Sequence, residues 1–293
     1  MFDQILQFLL TGITVGSTYA LVGLGFAIIY NASDVVNFSQ GEFVMIGAMS
    51  AVALSAGDTG LPLWAAALAA VLITTLVGMA LQRFAIAPAR GASVVTTIII
   101  TIGASIFLRG VALLVWGKDL FALPPFSGNE PILIGNATVL PQSLWVMGGA
   151  AVLVFGAQYF FTHTTLGKAI LACSCNKTAA HLVGINVGVM LLVAYGLSAA
   201  LGAMAGILVA PITFASYDTG VMLGLKGFSA AILGGMGNPM GAVAGGLLLG
   251  LIESLSAGLI SSGYKDAIGF IILLLVLFFR PSGLFGKASV ERV

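Results

Sequence analysis

The chain has 293 residues, 59% of them hydrophobic and 7% charged, with 11 Lys and Arg against 10 Asp and Glu. Soluble domains carry roughly a quarter charged residues, so a water-covered globule is excluded and lipid must cover most of the surface. The net charge of +1 gives no basis for binding nucleic acid or an acidic surface. Cys173 and Cys175, one residue apart, suit neither a disulfide framework nor a zinc site.

Runs of about 20 apolar residues mark candidate membrane helices. In chain order they lie at 5–30, 40–56, 63–81, 93–115, 144–162, 189–211, 219–236, 240–258 and 264–280. The first run follows no basic residue and is too long for the core of a secretory signal, so it is expected to be a retained span. Runs 40–56 and 219–236 are short and contain glycine, as broken or re-entrant helices do. The runs are continuous rather than alternating, which excludes a β-barrel. The expected fold is a glycine-rich, all-α polytopic membrane protein, one domain over 1–293 with about 8–10 transmembrane or re-entrant helices.

Basic residues orient it. Arg83 and Arg90 bracket one loop, Lys168 and Lys177 lie in another, and Arg280, Lys287 and Arg292 mark the C-terminus. Placing all three regions in the cytoplasm satisfies parity and puts the N-terminus outside and the C-terminus inside. The proline-bearing segment 117–143 becomes an external loop and 163–188 a cytoplasmic one.

The first helix carries Gly12, Gly16, Ala20 and Gly23 along one face, and small-xxx-small pairs recur at Gly202/Gly206, Gly241/Gly245 and Gly246/Gly250. In lipid such spacing lets backbones approach closely. Thr11, Thr14 and Thr18 share a face, and Thr97, Thr101 and Ser105 step toward Arg109. Back-bonding to the preceding turn explains such a stripe without function; a polar surface turned into the bundle is the alternative. For Arg109 the choice is between that surface and snorkelling to the interface.

Glu42, Lys226 and Glu253 fall inside apolar runs. A charge at the bilayer centre costs at least about 2.5–3.5 kcal/mol on insertion scales, so each is expected to meet a partner or a cavity. The charges permit a Glu42–Lys226 or a Glu253–Lys226 pair, and the sequence does not choose. Asn37 and Gln40 stand beside Glu42 in "NFSQGE" and would cap or line a helix break. "GEFVMIGAM" (41–49) and "GFSAAILGGM" (227–236) echo each other, as the interrupted helices of repeat-built transporters do.

No GxxxxGK[ST] occurs, so an ATPase would have to be a separate chain, and no His, Cys or carboxylate constellation points to catalysis or a metal. The loop 165–190 offers a short helix near 176–183 with small Ala179 and Ala180, stopped by Gly184-Ile185-Asn186. It could dock in a groove of another protein or lie on the membrane surface.

The stretches "GITVGSTYALVGLGFAIIY" (12–30), "VVNFSQGEFVMIGA" (35–48), "LGKAILA…AAHLVGIN" (166–186), "KGFSAAILGGMGNPMGAVAGGLLLGLIESL" (226–255) and "YKDAIGFIILLLVLFFRPSGLFG" (264–286) resemble the LivH-type permease subunits of branched-chain amino acid ABC importers. The resemblance implies a non-enzymatic inner-membrane permease forming a translocation pathway with a homologous LivM-like permease. Two cytoplasmic ATPases would bind ATP and Mg, with no cofactor in this chain, and a periplasmic binding protein would deliver the solute. Asn176, Lys177, Ala179, Ala180, His181, Gly184, Ile185 and Asn186 would form the coupling helix that enters the ATPase. The pathway or buried polar residues would be Asn37, Gln40, Glu42, Thr97, Thr101, Ser105, Lys226 and Glu253. Leu171 stands where the family's loop carries Arg, Cys175 and Asn176 where it carries acidic residues, and Gln40 where "NFAHGE" has His. Docking is therefore expected to be less electrostatic, and a proton-sensitive imidazole is absent at position 40. The competing reading is a self-sufficient secondary transporter or channel for a small polar solute, using Glu42 and Glu253.

Overall fold

The computed structural model describes residues 2–56, 60–89, 91–128, 130–134 and 137–286; Arg90, Lys287 and Arg292 lie outside the described residues. The helices are α1 (Phe2–Ser33), α2 (Gln40–Ala56), α3 (Leu63–Leu81), α4 (Val94–Trp116), α5 (Pro141–His163), α6 (Thr165–Cys175), α7 (Lys177–Leu182), α8 (Val187–Thr213), α9 (Thr219–Gly234), α10 (Pro239–Leu259) and α11 (Lys265–Phe279). A π turn, Gln82–Ile86, continues α3, and β1 (Ile132–Ile134) pairs antiparallel with β2 (Ala137–Val139) in the loop before α5.

Seven helices among the described residues are long and apolar enough to cross a membrane. The chain is an all-α multi-pass membrane protein. With 17 and 16 residues, α2 and α9 lie at or below the roughly 17 that a crossing needs, in keeping with the two short runs of the sequence. The loop 165–190 differs in detail from expectation. It holds two helices, α6 and α7, because Asn176 turns the chain out of one and caps the next, its Oδ1 accepting from Ala179 N at 2.9 Å.

α1 packs on α8, α9 and α10, while α8 packs on α1, α2 and α3; α2 neighbours α3, α9 neighbours α10, and α2 touches α9. Exchanging α1–α2–α3 for α8–α9–α10 leaves that pattern unchanged. The two outer helices follow suit, α4 leaning on α2 and on the π turn, α11 on α9 and α10. The sequence echo therefore finds the right pair of helices in the wrong register. Gly41, at the start of α2, meets Gly220 and Gly224 of α9 rather than Gly227, which meets Val22 and Gly23 of α1.

Small residues make these seams. A Cβ on Gly16 would lie 2.9 Å from Leu247 Cα, and one on Gly250 would enter the Gly16 backbone, so α1 and α10 touch main chain to main chain. Gly206 lies against Val44 of α2, and Gly245 against Ala230 and Gly234 of α9. Dispersion gained by such close approach replaces the hydrophobic driving force that lipid removes. The large side chains point the other way. On α3, Ala66, Ala70, Thr74 and Gly78 are buried while Trp64, Leu68, Leu72 and Leu76 are exposed. An apolar exposed face of that size fits lipid rather than water.

Loops gather at two ends. Ser33, Asp34, Ile86, Ala89, Lys177, His181 and Asn186 line one cavity of about 590 Å³. At the opposite end Gln7 bonds Thr138 O at 2.9 Å, and Phe121 pairs with Ala215.

Candidate functional site

The segment 34–39 carries the chain from the end of α1 to the start of α2 outside either helix, and much of its polar capacity finds partners in other helices. Such irregular backbone is tolerated in a membrane protein where it is buried in protein or lines a cavity. Asn37 Oδ1 accepts from Ser39 N at 3.1 Å; Phe38 N donates to Thr101 Oγ1 at 3.2 Å, and Ser39 Oγ donates to Thr101 O at 2.8 Å. Gln40 Nε2 donates to Ser198 O at 3.2 Å while its Oε1 lies 2.7 Å from Ser198 Oγ. The break is thus sewn to α4 on one side and α8 on the other.

Glu42 sits in the first turn of α2 and is 1% exposed. Its Oε1 accepts from Ser105 Oγ at 2.7 Å and faces Arg109 Nε at 3.4 Å. Glu42 Oε2 and Arg109 Nε have no hydrogen-bond partner among the described residues. At 1.5 Å per residue from Val94, Ser105 lies about 16 Å and Arg109 about 22 Å along α4, so the pair is near mid-helix. Glu42, Ser105 and Arg109 share a cavity of about 150 Å³ with Phe26, Phe38 and Phe228, closed by Gly220 and Gly224 of α9. Thr101 and Ser105 therefore turn inward with Arg109, whereas Thr97 only back-bonds to Ser93 O at 3.3 Å and lines the large cavity at the loop end.

The second charged nest is separate. Lys226 on α9 pairs with Glu253 on α10 and, at 2.7 Å, with Asp266 on α11; Tyr19 on α1 donates to Glu253 Oε2 at 2.9 Å. Lys226 Nζ also lies 5.2 Å from the Phe270 ring centre. Of the two pairings the charges permit, Lys226–Glu253 forms, and Glu42 takes Arg109 instead. Tyr19 and Asp266 are members that sequence reasoning missed. Asp266 stands at the start of the last apolar run, beside Lys265, with nothing to mark it as a partner.

α7 ends in a Schellman cap. Gly184 N donates to His181 O and Ile185 N to Ala180 O, both at 3.0 Å, with Gly184 at φ +88°. Asn186 then caps α8 through Val189 N at 3.2 Å. Ala180 is buried, while Leu182 and Val183 are exposed at the tip. Lys177 Nζ donates to Ser33 O at 3.0 Å and Asp34 Oδ2 at 2.6 Å. That clamps α7 to the first residues of the break before α2. Asp34, at φ +62°, had no sequence signal beyond its place after a long apolar run.

Residues 8–277 match the model of the family described as branched-chain amino acid transport system / permease component. The chain belongs to that family. It is 34% identical, over all of both chains, to the high-affinity branched-chain amino acid transport system permease protein LivH of Escherichia coli K12. It is also 34% identical, over 98% of each chain, to BraD, the permease protein of the same description from Pseudomonas aeruginosa. The ribose import permease protein RbsC of Escherichia coli K12 is 30% identical over 62% of this chain and 60% of its own. Among solved structures, PsaBC from Streptococcus pneumoniae in complex with Fab has a similar fold, with TM-score 0.51 and 15% identity over 96% of this chain and 94% of that one. LivH, BraD and RbsC are all named as permease proteins.

Proposed function

We propose that this chain is one of the two membrane-spanning permeases of an ATP-driven importer of branched-chain amino acids in a bacterial inner membrane. Its partners are a homologous LivM-like permease, two cytoplasmic ATPases that bind ATP and Mg, and a periplasmic binding protein. The observation that carries this reading is similarity over the full or nearly full length of both chains to two permeases named for that solute class.

In this reading residues 176–186 dock in the ATPase. The docking tip is apolar, through Leu182 and Val183, as the uncharged Leu171, Cys175 and Asn176 lead one to expect. Closure of the ATPases pushes α7, and the Lys177–Asp34 clamp carries the push to the break before α2. Because interfaces of packed helices are bistable rather than continuously deformable, a small shift there can switch the pathway. The carboxylates that a secondary transporter would use both face basic partners, Arg109 and Lys226, so neither is an uncompensated charge that calls for a lone cation.

Purification by a tag on this chain, followed by reconstitution, tests the proposal. ATPase subunits should co-purify, and leucine uptake into proteoliposomes should require ATP and the binding protein. Uptake that persists without ATP would overturn it. Gly184→Val should cost about 1–2 kcal/mol of local stability, because a side chain is strained at positive φ, although nothing within 4 Å would clash. The variant should insert normally yet lose ATPase co-purification.

A further inference from the structure

The Glu42 cavity combines three features that a packing defect does not need together. One is a carboxylate oxygen, Glu42 Oε2, buried without a hydrogen-bond partner among the described residues although the other oxygen of the same group has two partners. An unmade hydrogen bond on a buried charged group is costly to keep. A second is Arg109, whose Nε faces the same carboxylate at 3.4 Å without a hydrogen bond while a third of its side chain stays accessible, so its fork is not used up. The third is the opposite wall. Phe228 stands 5.7 Å from Phe26 and 5.3 Å from Phe38, ring centre to ring centre, and Leu225 and Ile102 complete the apolar side.

Charge complementarity narrows what fits. A lone amine would satisfy Glu42 but add an unpaired positive charge beside Arg109, where the first turns of α2 and α9 already contribute positive partial charge. A lone carboxylate would bind Arg109 and leave Glu42 Oε2 as it is. A zwitterion answers both at once, and an uncompensated charge in this position would meet the cost that intramembrane charges carry. The volume suits a short side chain, since an apolar cavity of about 150 Å³ accepts a six-carbon ligand such as benzene.

We infer that this cavity is a substrate site within the membrane for a small α-amino acid with a short aliphatic side chain. The ammonium group donates to Glu42 Oε2, the carboxylate takes the free edge of Arg109, and the side chain lies on Phe26, Phe38 and Phe228. The inference rests on the amino-acid permease reading and assigns its solute a place on this chain.

The test uses the purified permease complex in lipid nanodiscs, without the binding protein, so that the receptor's own selectivity plays no part. The probe is leucine carrying a photoreactive diazirine in its side chain, and labelled peptides are mapped after irradiation. Labelling should fall on the Phe26, Phe38 and Phe228 peptides, and excess leucine should suppress it. Isoamylamine and 4-methylpentanoate, each lacking one charge of the zwitterion, should not. Arg109→Lys keeps the charge but loses the fork and should lower labelling about tenfold, the lower end of what a charge-assisted hydrogen bond contributes. Phe228→Trp fills the cavity while leaving Glu42 and Arg109 in place and should abolish labelling, and it decides the matter should Arg109→Lys fail to fold. Labelling absent from these peptides, or suppressed equally by the amine or the acid, or unchanged in Phe228→Trp, overturns the site. If the site fails while the complete importer still takes up leucine with ATP, the permease reading stands; if no leucine uptake occurs, that reading fails and takes the site with it.

Discussion

Lys226 shows how a single charge is made tolerable in this bundle. It is 3% exposed, and its partner Glu253 is 4% exposed, so neither has water to fall back on. Asp266 is different: 44% of its side chain is accessible, and an exposed ion pair contributes about 0–1 kcal/mol. Removing the lysine strands Glu253 with Tyr19 as its remaining hydrogen-bond donor, and breaking a buried pair costs about 3–5 kcal/mol. Lys226→Met should therefore lower the melting temperature of the detergent-purified chain sharply, Asp266→Asn little. The double variant Lys226→Met/Glu253→Gln should recover most of the loss, since the stranded charge is gone. Equal losses for Lys226→Met and Asp266→Asn would show that the network is not organised around the buried pair.

At the scale of elements, the crossing of α2 and α9 positions the candidate site. A Cβ on Gly41 would overlap the Gly220 carbonyl oxygen, and one on Gly220 would stand 2.6 Å from Gly41 O, against backbone that cannot turn aside. Gly41→Ala should cost about 1–3 kcal/mol by overpacking and open the crossing. Gly103→Ala, on the lipid side of α4 with nothing within 4 Å, should be neutral or gain up to about 1 kcal/mol from helix propensity. Thermal unfolding of the two variants side by side checks this; similar behaviour would mean that the crossing is loose. The same elements mark how far the sequence could be read. Long apolar runs and small-residue spacing predict the spans and their seams, because both properties act locally along a helix. Asn37, Gln40 and Glu42 stood out because polar groups in an apolar run demand partners. Which partner each one takes depends on how α4, α8 and α11 are placed around them. No local pattern reports that placement, so Arg109 remained ambiguous and Asp266 and Asp34 went unnoticed.

The whole molecule has one end at which residues 33–35, the turn after α3, α7 and the start of α8 meet, and the positive-inside reading assigns that end to the cytoplasm. Two cysteines at the same end make the assignment testable without altering the chain. Cys175 is exposed, while Cys173 is buried, and burial pushes the Cys173 thiol up against a smaller opposing pull from Lys177. Thiolate is the reactive form, so both poor access and suppressed ionisation hold Cys173 back. A membrane-impermeant maleimide should therefore modify Cys175 in inside-out vesicles and leave it untouched in right-side-out ones, with Cys173 silent until detergent unfolds the chain. Raising the pH within the neutral range should bring little reaction at Cys173. Cys175 immediately precedes the cap of α7, so bound ATPase subunits should also slow its modification, and stripping them should restore the rate. Modification from the opposite face would invert the topology and carry α7 away from any cytoplasmic partner. Unchanged rates with and without the ATPases would instead keep the topology and remove α7 from the docking surface.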